Sequence, residues 1–201
     1  MKALTDTQYI RQLVSEGEHC HQDFKFEISD ARKIARSLSA FANTEGGRLL
    51  IGVKDNGKIA GVRSDEEIYM IEAAATMYCK PKVELETQTY KVEGKTVLEI
   101  RINETVSKPV YALDETNKPW AYIRIKDENI LATPVHLKMW QHSKKPEGAL
   151  VTFTEREQRL LDVLKEKLSL NQCCKLCRLN HKTTCELLAD FIRFGLVELV
   201  F

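Results

Sequence analysis

Four side chains that can bind zinc recur at four-residue intervals near the end of the chain, namely Cys173, Cys177, His181 and Cys185. Structural zinc sites usually use close pairs of ligands that are separated by a longer loop. A free cysteine also packs well in a protein core, where it behaves as a small apolar residue. We therefore predict that these cysteines lie in the core of a helical domain rather than around a metal ion.

One segment matches the start of a nucleotide-binding phosphate loop, Gly52-Val-Lys-Asp-Asn-Gly57-Lys58. Such a loop continues with Ser or Thr, which binds Mg²⁺, and then with a helix that points its amides at phosphate. Here Ile59 follows, and Asp55-Asn56-Gly57 is typical of a hairpin turn. The segment therefore predicts a turn between two strands rather than an ATP site.

The composition of the 201-residue chain is that of an ordinary globular protein, with a formal net charge of +1. Nucleic-acid binding would therefore need a local basic patch. The amino terminus lacks the apolar core of a signal peptide, and no run approaches the length of a membrane span. We expect a cytoplasmic protein with six reduced cysteines and no membrane partner.

Apolar periodicity and turn residues predict a mixed α/β segment in the first part of the chain. Ser29 or Asp30 can cap a helix that runs to about Asn43, and Gly46-Gly47 ends the helical region. The run Leu49 to Val53 is suited to a buried strand. The other predicted elements are a partner strand over 58–62, a helix over 65–78, a hairpin of 83–92 and 96–103, a strand over 120–125 and a helix over 134–141.

A helical tail follows residues 143–149, a polar segment that we predict to be a linker. Thr154 and Glu157 form a capping box that begins the first tail helix, and a second helix is predicted near 171–178. The spacing from Leu179 to Gly195 resembles the third helix of winged helix-turn-helix domains, with Asn180 as its cap. The predicted domains are residues 1–142 and 150–201, and residues 196–201 are predicted to form a wing strand.

A larger resemblance extends over most of residues 15–135. Its parts are Glu18, Asp23-Phe24-Lys25, the run Phe41 to Gly47, the strand and turn Leu50 to Gly57, Lys108 to Tyr111, and Tyr122-Ile-Arg124. In this order they resemble the AlbA_2 (Schlafen-type) family, whose members are put forward as nucleic-acid-binding domains. Asp23 replaces the family's usual Glu, and Lys126-Asp127 replaces its frequent Gly-Ser. The resemblance implies an α/β domain with a mixed sheet and flanking helices.

In Schlafen-type relatives that cut RNA, three acidic residues are taken to hold a divalent metal at the scissile phosphate. The matching residues here are Glu18, Asp23 and Asp55. Carboxylates bind Mg²⁺ or Mn²⁺, and the metal stabilises the charge of phosphoryl transfer. Only some relatives are nucleases, and a plain hairpin turn would also select Asp55. We therefore expect Mg²⁺ or Mn²⁺ only if the protein is a ribonuclease, and otherwise no metal, cofactor or catalytic residue.

The predicted nucleic-acid interface has two parts. In the tail, basic and hydroxyl side chains cluster around the start of the third helix, where they would face phosphates and base edges. They are Lys175, Arg178, His181, Lys182, Thr183 and Thr184. In the first domain, the residues predicted to contact phosphate are Lys25, Arg32, Lys33, Arg36 and Arg124.

From these features we predict a DNA-binding transcriptional regulator, with RNA as a further candidate ligand. A homodimer is expected, because paired half-sites suit a single small reading head. Two other functions stay open, a metal-dependent ribonuclease and a module for protein interaction or dimerisation. The acidic trio separates the ribonuclease from the regulator, and the salt dependence of binding separates both from the protein-interaction module.

Overall fold

The computed structural model describes residues 4–144 and 153–200, and the predicted α/β segment forms its first unit, Met1–Leu131. The elements of this unit are α1 (Asp6–Glu16), β1 (Gln22–Lys25), α2 (Ala31–Asn43), β2 (Gly47–Ile51), α3 (Glu66–Thr76), β3 (Cys79–Lys80), β4 (Leu85–Val92), β5 (Lys95–Ile102), β6 (Tyr111–Leu113), β7 (Pro119–Ile125) and β8 (Glu128–Leu131). The fold class is therefore the mixed α/β class that the sequence predicts.

The helix α2 packs against α3 and against strands of both sheets of this unit. Of the two caps that the sequence allows, the structure uses Asp30, whose carboxylate accepts a hydrogen bond from the backbone N–H of Arg32. The apolar side chains of Ile34, Leu38 and Phe41 share one helical face and are buried. They pack in a core that also contains residues of α3 and of both sheets.

Two four-stranded sheets flank α2. The first has the strand order β1-β2-β5-β4, with β1 parallel to β2 and the other pairs antiparallel. The second has the order β3-β6-β7-β8 and is antiparallel throughout. The continuous apolar run of β2 follows from burial on both faces, because Leu49 packs toward α2 while Leu50 packs toward α1.

Residues 58–62 do not form the predicted partner strand of β2. The bridge between Val53 and Ile59 links the two segments, but β2 itself pairs with β1 and β5. After the predicted turn the chain continues toward β5, where the Val62 N–H donates to the Thr96 carbonyl at 2.8 Å. Turn residues fix a local reversal, whereas the choice of strand partner depends on long-range packing.

The second unit, Ala132–Phe201, contains α4 (Pro134–His142), α5 (Glu155–Val163), α6 (Leu170–Cys177) and α7 (His181–Arg193). The predicted caps are present, since Thr154 and Glu157 form the capping box of α5 and Asn180 caps α7. In the described residues no helix is both long and apolar enough to cross a membrane.

The position of α4 differs from the prediction, which assigned this helix to the first domain. Val135 of α4 packs in the core of the second unit, and two pairs of polar side chains join α4 to α7. In these pairs Lys138 lies 3.4 Å from Glu186, and His142 Nδ1 lies 2.6 Å from Asp190. The boundary between the units therefore follows residue 131 and not residue 142.

Two other predictions concern the ends of the helical tail. Ser143 and Lys144 of the predicted linker form a turn after α4, and residues 145–149 lie outside the described chain. The predicted wing strand is not formed by residues 196–200, and residue 201 is not described. A strand is defined by hydrogen bonds to a partner, and the described part of this unit provides no such partner.

Candidate nucleic-acid interface

The run of residues 41–47 joins α2 to the second sheet. The Asn43 side-chain amide donates to the Val110 carbonyl at 2.8 Å, and its Oδ1 accepts the Val110 N–H at 2.7 Å. Thr44 Oγ1 accepts the backbone N–H of Arg124 on β7 at 2.9 Å. The Val110 carbonyl also accepts from Ser39 Oγ, but no other hydrogen bond within the described chain satisfies the Val110 N–H. The most distinctive run of the sequence therefore has a structural role.

The two glycines of this run allow the backbone to approach its neighbours closely. Gly46 has φ +73°, and a Cβ at this position would lie 2.7 Å from the carbonyl oxygen of Ile102. A Cβ on Gly47 would lie 2.5 Å from the Phe41 ring. Larger residues at either position would displace β2 from α2 and β5.

Arg124 lies on β7, and its side chain is only 1 % exposed. Its guanidinium lies 5.1 Å from the centroid of the Phe41 ring and donates to the Gln22 carbonyl at 3.2 Å. It also pairs with Asp23, whose Oδ1 lies 3.5 Å away. This burial contradicts the predicted phosphate contact, because the guanidinium is enclosed by protein acceptors. The sequence places Arg124 on a strand but does not show that β1 covers it.

Four charged residues, Glu18, Asp23, Lys25 and Arg124, form what we call the β1 cluster. Lys25 Nζ lies 2.7 Å from Asp23 Oδ2, a contact that lacks hydrogen-bond geometry. Glu18 Oε1 accepts the backbone N–H of Phe24 at 2.9 Å. The Asp23 carboxylate therefore lies between two cations, and Lys25, predicted to contact phosphate, already has an acidic partner.

Glu18 has an unusual proton affinity. Burial raises the pKa of Glu18 to about 7, and its hydrogen bond with the Asp23 carboxyl adds to the rise, while the Phe24 N–H opposes it. Near neutral pH the Glu18 carboxyl therefore exchanges a proton beside the buried Asp23. Such a carboxyl can act as an acid or a base at that pH.

Asp55, the third residue of the acidic trio, does not join this pair. It lies in the exposed turn after β2, whereas Asp23 is in register with Leu49 in the middle of that strand. Among the described residues, no three His, Cys, Asp or Glu side chains come together as a metal site. Two cations also compete for the Asp23 carboxylate. These residues therefore do not fit the three-carboxylate site that the resemblance implied.

The predicted basic residues of α2 differ in whether their side chains are free to contact a ligand. Arg32 lies 4.4 Å from the centroid of the Tyr78 ring, and its Nε donates to the Asp114 carbonyl at 3.1 Å. Lys33 and Arg36 are exposed, and neither has a hydrogen bond or an ion pair within the described chain. Lys33 and Arg36 are therefore available to phosphate, whereas Arg32 is held by its own unit.

In the second unit, the predicted basic residues lie around the start of α7. Arg178 ends α6 with a left-handed backbone, φ 53°, and its side chain is exposed. His181 and Lys182 are exposed in the first turn of α7, and Lys175 is exposed on α6. All four side chains are therefore exposed, and they lie close together along the chain, in the region that joins α6 to α7.

The two threonines of this region have different environments. Thr183 is half-buried, and its N–H donates to the capping Asn180 side chain at 2.9 Å. Thr184 is 0 % exposed, and its hydroxyl donates to the Asn180 carbonyl at 3.0 Å. The predicted base contact of Thr184 is therefore contradicted, because the one-residue step along the helix turns this side chain into the core.

A comparison with protein families identifies the first unit. The family model Schlafen, AlbA_2 matches residues 18–133, which is more than half of the chain. The chain belongs to the Schlafen AlbA_2 family. The match starts at Glu18 of the β1 cluster and ends close to the boundary at Leu131. We therefore call the first unit the AlbA_2 unit.

The chain is similar to several solved structures, of which two are given below, and no curated protein sequence matches it. The DIP2311 protein of Corynebacterium diphtheriae is 19% identical with a TM-score of 0.48, over 74% of this chain and 31% of that protein. The N-terminal domain of a RecG-related protein of Nitrosomonas europaea is 20% identical with a TM-score of 0.44, over 76% of this chain and 99% of that domain. The chain therefore spans less than a third of the C. diphtheriae protein.

The AlbA_2 unit also contains a buried carboxylate that the sequence analysis missed. Glu99 on β5 is 0 % exposed and accepts hydrogen bonds from the hydroxyls of Tyr9, at 3.1 Å, and Tyr90, at 3.0 Å. The guanidiniums of Arg48 and Arg101 lie 3.4 Å and 3.1 Å from its Oε1. Burial and the bond to Glu99 raise the pKa of Tyr90. No local pattern signals this group, because its members come from α1, β2, β4 and β5.

A second missed feature of the AlbA_2 unit is a group of cations around Phe26. Lys54 Nζ lies 4.6 Å from the centroid of this ring, and Arg63 Cζ lies 4.7 Å from it. Arg63 also forms an ion pair with Glu27. The segment that matched a phosphate loop therefore places its Lys54 on an aromatic ring, in a turn that no helix follows directly.

The tail cysteines lie where the sequence predicts them. Cys173, Cys177 and Cys185 are buried in the core of the second unit, and all are free thiols. Burial raises the pKa of the Cys173 and Cys177 thiols. His181 is exposed, and its Nδ1 lies 3.7 Å from Cys185 Sγ. The core role of the cysteines is confirmed.

Proposed function

We propose that this protein binds nucleic acid and that its second unit reads duplex DNA in transcriptional regulation. The observation that carries the proposal is the exposed group of Arg178, His181 and Lys182 at the start of the 13-residue helix α7. The first N–H groups of a helix and its dipole attract anions, and a helix of this length can enter the major groove. Membership of the AlbA_2 family supports nucleic acid as the class of ligand.

The AlbA_2 unit would contribute contacts that are independent of base sequence. Its exposed Lys33 and Arg36 suit phosphate oxygens, because neither has a partner in the described chain. We further propose a homodimer, since one reading head of this size contacts few base pairs. Sedimentation equilibrium of the full chain measures this directly, and a monomer at all concentrations would contradict it.

The test uses the full chain and a labelled duplex of mixed sequence, titrated at several salt concentrations. Replacing both Lys182 and Arg178 with Ala removes two phosphate-binding charges. We expect weaker binding and a slope of log K against log salt that is smaller by about 2. The matched control replaces the exposed Lys80 and Lys82 of the AlbA_2 unit with Ala.

Each outcome of this test selects one function. A slope lowered by the Arg178 and Lys182 substitutions, but not by the control, supports reading by the second unit. An equal slope for wild type and variant would remove this unit from the interface. If the wild-type chain does not shift the duplex at low salt, the protein-interaction module becomes the better proposal.

A ribonuclease is the second candidate, and the adjacent carboxyls of Glu18 and Asp23 are the observation that favours it. The separate position of Asp55 weighs against it. Labelled tRNA is incubated with the protein and Mn²⁺, alongside the variant Asp23→Asn. Metal-dependent cutting that the variant loses would replace the regulator with a ribonuclease.

A further inference from the structure

An open groove of about 500 Å³ lies in the second unit, between the start of α5 and the end of α6. Three arginines line it, Arg156, Arg159 and Arg178. Arg178 is among the residues predicted to bind nucleic acid, whereas the sequence analysis assigned no role to Arg156 and Arg159. The groove therefore joins two arginines without an assigned role to a residue of the predicted nucleic-acid interface.

The charges of this groove are only partly balanced. Arg156 donates to the buried Glu157 at 2.7 Å, and the same carboxylate belongs to the capping box of α5. Arg159 and Arg178 have no ion pair with an acid in the described chain. Among the described residues, Glu155 is the acidic residue that lines the groove, and Glu157 lies beside it as the partner of Arg156. Three guanidiniums against two carboxylates leave one net positive charge, and two of the guanidiniums are available to a ligand.

The groove leads directly to the start of α7. Arg178 lines the groove, and Asn180, two residues later, caps that helix. The backbone at Arg178 is tied to α6, since its N–H donates to the Lys175 carbonyl at 3.3 Å. This hydrogen bond holds the backbone of Arg178 at the end of α6, two residues before the cap of α7. A polyanion bound at α7 would extend along the groove.

We propose that this groove binds the sugar–phosphate backbone of the DNA duplex that α7 reads, with Arg159 and Arg178 as the phosphate ligands. The inference rests on the proposed function and adds Arg159 to its interface. A guanidinium presents paired N–H donors that match two phosphate oxygens. An open and polar groove suits an extended backbone better than a small molecule, which proteins usually enclose in an apolar pocket.

The experiment compares the full chain with the variants Arg159→Gln and Arg159→Lys on a labelled duplex, over a range of salt concentrations. Arg159→Gln should reduce the slope of log K against log salt by about 1 and weaken binding to all duplex sequences alike. Arg159→Lys keeps the charge, so that the slope should return to the wild-type value. The matched control is Lys167→Gln, an equal loss of charge at an exposed residue that does not line the groove.

The outcomes distinguish this inference from the proposed function. If the wild-type chain binds the duplex and Arg159→Gln keeps its slope, the groove is not a phosphate site, although the proposed function stands. If Lys167→Gln lowers the slope equally, the effect is one of general charge and the inference is overturned. A wild-type chain that does not bind the duplex overturns both. A low slope in both Arg159 variants would indicate damage to α5 and contradict a phosphate contact.

Discussion

Arg124 of the AlbA_2 unit and two arginines of the second unit have opposite environments. In the AlbA_2 unit, Arg124 is enclosed by carbonyl oxygens and pairs with the buried Asp23. In the second unit, Arg159 and Arg178 are exposed at a groove. A buried ion pair cannot lose one partner without leaving an uncompensated charge, whereas an exposed charge contributes little to stability and stays available to ligands. Exposure and partners, more than residue type, therefore decide which arginine can be part of an interface.

The largest effect on stability is expected from removing Arg124, the buried arginine of this comparison. Arg124→Ala would leave Asp23 with one cation and remove donors from the carbonyls of His19 and Gln22. We expect the free energy of unfolding of the AlbA_2 unit to fall by about 3–5 kcal/mol. Denaturant unfolding followed by Trp120 fluorescence, in a Trp140→Phe background, reports this unit alone, because Trp140 lies in the other unit.

The control for this variant is Arg36→Ala, which removes an exposed arginine of the same unit. It should change the free energy of unfolding by no more than about 0.5 kcal/mol. Equal effects of the two substitutions would show that the burial of Arg124 does not matter for stability.

A smaller loss of stability is expected on replacing Asn43, because its contacts are neutral hydrogen bonds and not an ion pair. Asn43→Ala would leave the N–H and carbonyl of Val110 and the carbonyl of Tyr122 without this partner. We expect a loss of about 2–3 kcal/mol in the same unfolding assay. Asn56→Ala in the exposed turn is the matched control, and a loss below that of the control would contradict the structural role of the run 41–47.

A further prediction is a pH dependence of stability at the β1 cluster. The pKa of Glu18 is about 7 in the folded chain, against an ordinary value of 4.5. Between these values the folded chain holds more protons than the unfolded chain, so that rising pH lowers stability. Compared with Glu18→Gln, which cannot ionise, the wild type should lose stability from about pH 4.5 to about pH 7 and no further above it.

This comparison is made by measuring the free energy of unfolding of both proteins from acid to mildly alkaline pH. The exposed Glu84→Gln serves as the control, and its difference from wild type should not follow the same curve. A wild-type chain that gains stability relative to Glu18→Gln over this interval would contradict the raised pKa of Glu18.

Much of the local structure was predictable from the sequence, because its signals lie within a few residues of each other. The caps at Asp30, Thr154 and Asn180 and the hairpin of β4 and β5 are of this kind. The partner of β2 was not predictable, since it depends on packing across the whole unit. The same limit applies to the site. The sequence predicts Arg178 and Lys182 as interface residues and the structure exposes both, but the burial of Arg124 depends on β1, which lies about a hundred residues earlier.

The place of α4 in the second unit affects how the protein can be divided. If the chain were divided between α4 and α5, the first fragment would contain the AlbA_2 unit and α4. The second fragment would then lack α4, although this helix belongs to its core. The apolar contact of Val135 and the pairs of Lys138 with Glu186 and of His142 with Asp190 would recruit the missing partner. The second unit is therefore suited to reconstitution from two separately expressed fragments, with α4 as the complementing peptide.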